Sequence, residues 1–171
     1  MKRNLNVFVL LLAFTLSACK KETIEHRKDF DKSFDTWLDF KASANNNYKY
    51  QLVTKSWTGL STQTTITVKG GKAIERAYVA QTVKHPGNVI TIHEEWVENQ
   101  LELNSHKNYG VILTLDEIYE KAKTEFLIKR DDGATSFESK NNGMISRCGF
   151  TPKGCVDDCF NGYAIAFIER I

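Results

Sequence analysis

The chain has 171 residues, of which 42% are hydrophobic and 26% charged, a composition typical of one globular domain and not of a disordered chain. Its formal charge is +2, but Lys2 and Arg3 lie in a segment that we expect to be removed, which leaves 21 basic and 21 acidic residues. A neutral domain has no basic field to attract nucleic acid, so we exclude a nucleic-acid partner.

Residues 1–18 predict a lipoprotein signal peptide. The two cations form a positive n-region, and Val7–Leu16 is apolar but shorter than the roughly 20 residues that span a bilayer. The run ends in Leu-Ser-Ala-Cys at positions 16–19, which resembles the lipobox of bacterial lipoproteins. The small residues suit the narrow subsites of the signal peptidase, and the Cys19 thiol receives the diacylglycerol. The alternative is an ordinary secretory signal that happens to contain a cysteine.

Residues 19–23 are expected to form a lipidated tether, because the charges of Lys20, Lys21 and Glu22 favour an extended, solvated chain. Several acyl chains on Cys19, palmitate among them, predict stable anchoring, since one chain binds only marginally. We therefore expect a cell-envelope protein, lipid-anchored in the outer membrane on its periplasmic face or at the cell surface. The Cys-Lys-Lys-Glu start looks like that of lipoproteins of the Bacteroidota, in which charge after the cysteine can direct export to the surface.

Residues 24–171 are expected to form a single globular domain. A first helix over residues 24–44 is predicted from side chains with helical spacing, namely Phe30, Phe34, Trp37, Leu38 and Lys41. Three asparagines at 45–47 end this helix. An aromatic stripe of this kind is typical of a helix that packs on a sheet.

From Tyr48 onward the hydrophobic pattern has a period of two, which predicts four strands in an antiparallel meander. The strands are expected around Tyr48–Leu52, Thr62–Val68, Ala73–Val83 and Val89–Val97. Gly70 and Gly71 predict a two-residue hairpin turn, because glycine takes positive φ readily. Residues 85–88 predict a second turn.

Residues 99–113 are less regular and predict a loop. Thr114 and Glu117 then match a capping box at the start of a second helix, which residues 130–133 end. Two or three further strands are expected near 136–139 or 144–147, and over 162–168. This order predicts an α+β domain with an antiparallel sheet of about six strands and two helices packed on one face.

Several segments together resemble a known family. They are the Trp37-bearing helix, Asn-Tyr-Lys-Tyr at 47–50, Thr65–Lys72, Thr-Leu-Asp-Glu-Ile-Tyr at 114–119, Gly143–Arg147, Asp157-Asp158 and Gly-Tyr-Ala-Ile-Ala-Phe at 162–167. The pattern resembles small bacterial lipoproteins known only as a domain of unknown function, over nearly the whole mature chain. It departs from the family's Gly-Tyr-Pro turn and Asp-ended strand, where this chain has Gly143-Met144 and Cys148. The resemblance implies a fold and a location, and no activity.

Three cysteines besides Cys19 lie close together in the tail, at positions 148, 155 and 159. An oxidising envelope predicts a disulfide among them. Because the segment predicts a loop between two strands, pairing of Cys148 with Cys159 would staple its base, and we prefer this to pairing of Cys148 with Cys155. Either choice leaves one thiol. A zinc site of three cysteines and one histidine is the alternative, but the spacing fits no common zinc pattern.

Other candidate sites are weaker. Asp157, Asp158 and Asn161 lack the alternating ligands of an EF-hand, and His93-Glu94-Glu95 lacks the second histidine of a zinc protease helix. We expect surface positions for the three remaining histidines, His26, His85 and His106. The sequence thus predicts no catalytic residue, no metal and no cofactor.

We therefore expect a non-enzymatic binding or accessory module that meets an envelope protein or a cell-wall component. The exposed sheet face or the Cys-rich loop would make the contact. Trp57 and Trp96 are expected to be strand aromatics, and Trp96 to share one side of its strand with Ile90 and Ile92. The alternatives are a secreted-type enzyme inhibitor, for which architecture is the only argument, and a small metal- or thiol-dependent module that uses the Cys-rich loop.

Overall fold

A computed structural model of the chain describes residues 23–84 and 86–171. The signal peptide, Cys19 and most of the tether lie outside the described residues, and so does His85. Within this part the chain forms two helices and seven strands. Their bounds are α1 Arg27–Ser43, β1 Tyr48–Lys55, β2 Leu60–Lys69, β3 Lys72–Lys84, β4 Val89–Glu98, α2 Leu115–Lys121, β5 Gly133–Glu138, β6 Arg147–Pro152 and β7 Asn161–Arg170. A π-helical turn, Ala122–Phe126, extends α2.

All seven strands form one antiparallel sheet in the order β4-β3-β2-β1-β7-β6-β5. The predicted α+β class and the four-strand meander are therefore confirmed. The predicted number of about six strands is one too low, because the tail contributes three strands, with β5 separated from β6 by the turn around Asn141–Met144.

Two short sequence motifs form the local structures that they predict. Gly70 and Gly71 have φ of 54° and 78° and join β2 to β3, as predicted for the hairpin turn. At α2 the Thr114 hydroxyl accepts from the Glu117 amide at 3.3 Å, and the Glu117 carboxylate accepts from the Thr114 amide at 2.6 Å. The predicted capping box is confirmed.

The core is built from aromatic rings that carry hydrogen bonds. Trp37 of α1 lies against Tyr48 of β1, with 5.0 Å between ring centroids, and against Tyr119 of α2 at 6.3 Å. The Tyr48 hydroxyl accepts from the Leu115 amide, and the Tyr119 hydroxyl accepts from the Ile145 amide. Both tyrosines are almost completely buried, so these bonds satisfy hydroxyls that have no access to water.

Asp116 links the two helices. Its carboxylate accepts from the Trp37 indole nitrogen at 3.0 Å and from the Lys41 ammonium at 2.8 Å. An acidic residue at the start of a helix also favours the helix dipole. Asp116 therefore has two roles, because it also fixes α1 relative to α2.

Candidate binding cleft and the polar cluster beside it

The sheet splits between its two middle strands. β1 and β7 pair from Tyr48 and Arg170 as far as Leu52 and Ile165. Beyond that point β1 pairs only with β2, and β7 pairs only with β6. Two cavities lie at the split and share five lining residues, namely Val53, Thr54, Thr62, Gly162 and Ala164. The two cavities therefore adjoin at the split, and we refer to them together as the cleft.

The first cavity has a volume of about 780 Å³ and reaches the loop between β6 and β7. Arg147 lines it, and its guanidinium lies 3.6 Å from the centre of the Phe160 ring, a cation–π contact. The ring has room because residue 149 is glycine, where a Cβ would overlap Phe160. Lys55 and Asp158 also line this cavity, which therefore offers charges of both signs.

The second cavity, of about 600 Å³, extends over the inner part of β1, β2 and β3. Three tyrosines line it, at positions 78, 109 and 163, together with aliphatic side chains such as Leu52 and Ile66. Thr64 and Lys121 add a hydroxyl and an ammonium group. Its wall is thus aromatic and apolar, with scattered hydrogen-bonding groups, which is the usual character of a small-molecule site.

A buried ion pair closes the far wall of the second cavity. The Arg76 guanidinium donates to both carboxylate oxygens of Glu98 at 2.9 Å, and both side chains are about 1% exposed. Arg76 also donates to the carbonyl oxygens of His106 and Gly110. Glu98 accepts further from the amide of Asn104 and from the Ser105 hydroxyl. One carboxylate thus holds the loop after β4 against the sheet.

This environment determines the protonation of Glu98. Burial alone raises the pKa of its carboxyl, because it penalises the charged form. The hydrogen bonds from Arg76, from His106 and from Ser105 outweigh burial and hold the pKa well below its usual range. Glu98 is therefore ionised at any physiological pH.

His106 is not the surface histidine that the sequence predicts. Its ring stacks on Trp96 with 3.9 Å between centroids and an angle of 2° between planes. Its Nδ1 lies 2.9 Å from the Glu98 carboxylate. Tyr78 and Tyr109 complete the aromatic group around Trp96. His26 does remain exposed, with its Nε2 3.3 Å from the Thr135 carbonyl oxygen.

The predicted arrangement of β4 is wrong at one point. Ile90 and Ile92 do not share a face with Trp96, because the register shifts between the pairs at Ala80 and Gln81. Trp96 pairs with Tyr78 on the cleft side, whereas Ile92 pairs with Gln81 and faces the other way. A bulge adds one residue and so reverses the alternation of side chains. The segment around His93 is nevertheless a strand, as predicted.

The tail contains a disulfide, as predicted, but the pairing differs. Cys155 is bonded to Cys159, with 6.2 Å between their Cα atoms. Cys148 lies within β6, where it pairs with Tyr163 and is fully buried with a free thiol. Burial raises the pKa of this thiol to about 12. The preferred pairing of Cys148 with Cys159 is therefore wrong, since β6 extends to Pro152 and Cys148 belongs to the core.

The three cysteines are thus not gathered into one site, and the zinc alternative loses its ligand set. Over residues 23–84 and 86–171 no three His, Cys, Asp or Glu side chains are placed to hold a metal ion together. Trp57, expected in a strand, lies in the turn between β1 and β2, and its amide donates to Asp158 at 3.2 Å.

The split between β1 and β7 and the cluster around Glu98 are the features that sequence reasoning missed. Arg76 and Glu98 are separated by 22 residues, and each is ordinary for an amphipathic strand. The one usable signal is a charged residue at an inward-facing position in each of two paired strands. In the part of the chain that is described, no helix has the length and hydropathy to cross a membrane.

No protein-family model, no curated protein and no solved structure matches the chain significantly.

Proposed function

We propose that this protein is a lipid-anchored binding module of the bacterial cell envelope, non-enzymatic and held in the outer membrane through Cys19. The support for the anchor is the coincidence of a positive n-region, a short apolar run and Leu-Ser-Ala-Cys at positions 16–19. The resemblance to small lipoproteins of unknown function supports the same location.

The observation that carries the binding role is the cleft at the split between β1 and β7. Its two cavities, of about 780 and 600 Å³, each lie in the range of small-ligand sites. Tyrosine rings and aliphatic side chains line one end, and charges of both signs line the other. The cleft suits an elongated envelope component with an apolar part and a polar part, or a segment of an envelope protein with the same character.

Binding is favoured over catalysis because the candidate acids and bases already have structural partners. Glu98 and His106 hold the loop after β4, and Asp116 joins the helices. Asp158 accepts from the Trp57 amide. Each of these groups is thus explained by the hydrogen bond or ion pair that it makes.

We further propose that the two helices cover one face of the sheet. The contacts of Trp37 with Tyr48 and of Leu115 with the Tyr48 hydroxyl support this arrangement, since both reach the same side chain of β1. The second cavity then opens on the helix-bearing side, beside α2, where Lys121 lines it.

The anchor is tested by expressing the full chain with a radiolabelled palmitate precursor and separating membrane from soluble fractions. We expect label on the wild-type chain and its recovery in membranes, and loss of both for Cys19→Ala. A labelled Cys19→Ala variant, or an unlabelled wild-type chain, would show that Cys19 is not the anchor.

The cleft is tested by filling it. Ala164 lines both cavities, whereas Ala166 of the same strand is exposed, so Ala166→Phe is a matched control for Ala164→Phe. Each folded variant is purified from envelopes, and small molecules that copurify are identified by mass spectrometry. We expect ligand with the wild type and with Ala166→Phe, and at least a tenfold loss with Ala164→Phe, which corresponds to about 1.4 kcal/mol. Equal recovery from both variants would contradict binding in the cleft.

A further inference from the structure

The described chain begins at a definite place on the domain. The Thr23 carbonyl oxygen accepts from the Lys129 amide at 2.8 Å, and Ile24 forms an antiparallel bridge with Ile128. The chain runs from Lys129 through residues 130–132 directly into β5, which begins at Gly133. Thr23, where the proposed tether joins the domain and which we call the exit, therefore lies near the end of the sheet where β5 begins.

A chain of contacts connects this exit to two turns. The Lys153 amide donates to the Asp132 carbonyl oxygen at 2.8 Å, which brings the β6–β7 loop beside the exit. Within that loop Asp158 accepts from the amide of Trp57, which brings the β1–β2 turn to the same end. The exit, the disulfide-bearing loop and the turn with Trp57 thus lie at one end of the sheet, which we call the tether end.

The tether end displays large apolar side chains on its projecting turns. Trp57 is 75% exposed, and Val156, inside the disulfide loop, is 98% exposed. Leu60 at the start of β2 and Val89 at the start of β4 are also exposed, and their strand pairs, Thr82 and Lys84, lie at the last residues of β3. Exposed apolar side chains that project from one end of the sheet suit contact with another surface.

The length of the tether restricts what this end can contact. Four residue steps separate Thr23 from Cys19, so the Cys19 backbone can be no farther than about 14 Å from the end of the domain. The polar headgroup region on each side of a bilayer is itself about 5–8 Å thick. A domain held this closely must keep the tether end at the membrane surface.

We propose that the tether end rests in the headgroup region of the bilayer, with Trp57 and Val156 as the side chains that enter the interface. This inference rests on the proposed lipidation of Cys19. Tryptophan is enriched at membrane–water interfaces, because its ring is apolar and its indole nitrogen is polar. The disulfide between Cys155 and Cys159 closes the loop that carries Val156 and limits its freedom before contact.

The contact is with the lipid interface itself and not with anionic headgroups in particular. Lys55, Lys84 and Lys153 lie at the tether end, but Asp132, Asp157 and Asp158 lie there too. Positive and negative groups offset one another, so the attraction is apolar. The contact is therefore the same with neutral phosphatidylcholine as with a mixture that contains phosphatidylglycerol.

Tryptophan fluorescence provides the test, because the three tryptophans differ in exposure. Trp37 is fully buried, Trp96 is half-buried beneath His106, and Trp57 is open to solvent. The full-length, acylated protein is reconstituted into vesicles of phosphatidylcholine with brominated acyl chains, which quench nearby indole rings, and into unbrominated vesicles of the same lipid. We expect bromine to remove up to about one third of the emission, since one indole of three is at the interface.

Two variants show which tryptophan is quenched. Trp57→Phe is expected to abolish it, while Trp96→Phe is expected to keep it. Mass spectrometry of the N-terminal peptide reports acylation of Cys19 in the same samples. Equal emission in brominated and ordinary vesicles, with Cys19 acylated, would overturn the interfacial contact and leave the proposed anchor standing. An unmodified Cys19 would overturn the anchor, and the contact with it. Quenching that persists in Trp57→Phe would also overturn the contact made by Trp57.

Discussion

Two buried regions of the domain satisfy their polar groups in different ways. Around the contacts of α1 and α2, buried tyrosines use neutral hydroxyls to satisfy backbone groups, as Tyr119 does for Ile145. Beneath the loop after β4, a buried ion pair satisfies the loop instead. Glu98 accepts from Arg76 and from four donor groups of the loop. Helices satisfy their own backbone, whereas an irregular loop cannot, so the loop needs a charged acceptor to hold it.

The largest expected effect comes from breaking the ion pair. Glu98→Gln leaves the Arg76 guanidinium buried without its counter-charge, and we expect a loss of about 3–5 kcal/mol in the free energy of unfolding. Glu95→Gln is the control, since Glu95 lies in the same strand but is exposed. Urea denaturation measures the free energy of unfolding of both variants and of the wild type. A loss below 1 kcal/mol for Glu98→Gln would show that the loop does not depend on this pair.

The same pair predicts a dependence on pH. The pKa of the Glu98 carboxyl is lowered in the folded protein, so its contribution to stability is complete above the unfolded pKa of about 4.5. As pH falls below that value, the unfolded state takes up a proton that the folded state does not, and stability decreases. We expect a weaker decrease below pH 4.5 for Glu98→Gln than for the wild type, measured by thermal unfolding. Parallel curves would contradict the ionised pair.

Around the contacts of α1 and α2 the expected effect is smaller. Tyr119→Phe removes the hydroxyl that donates to the Ser33 carbonyl oxygen and accepts from the Ile145 amide. Loss of two partners in a buried site costs about 1–3 kcal/mol. Tyr163→Phe, at a half-buried cleft position, serves as the control and is expected to change stability less. If both variants lost the same amount, the buried hydroxyl network would not be what distinguishes Tyr119.

The smallest effect is expected at the start of α2. Thr114→Ala removes the side chain that accepts from the Glu117 amide, and a lost N-cap costs about 1 kcal/mol. Thr124→Ala, at an exposed position in the π-helical turn, tests the general effect of the substitution. Urea midpoints of Thr114→Ala and of the wild type that agree within experimental error would contradict a stabilising cap.

The same comparison explains what the sequence could predict. The helix of Trp37, the Gly70–Gly71 turn and the Thr114 cap depend on residues a few positions apart, and each was predictable from spacing. The cluster around Glu98 depends on partners from β3, β4 and the following loop, which no local pattern brings together. The faces of β4 were misassigned because one bulge residue reverses the alternation, and a bulge leaves no sure mark in the sequence.

The cysteines follow the same logic. Proximity in sequence was enough to predict a disulfide, but the choice of partners depends on where β6 ends. From the sequence, Cys148 is expected at the base of a loop, but β6 continues four residues past it, to Pro152. The cleft itself arises where β1 and β7 cease to pair, after Leu52 and Ile165, and this is a property of two strands that are more than a hundred residues apart.

The bridge at the start of the domain has a mechanical consequence. If the domain is anchored through Cys19 as proposed, tension on the tether enters the domain at Thr23. The first bonds to bear it are those from the Lys129 amide to Thr23 and from the Glu25 amide to Leu127. Leu127 is fully buried, so this load passes into the segment after α2. The Thr135 hydroxyl donates to the Glu25 carboxylate, so part of the load also reaches the edge strand β5.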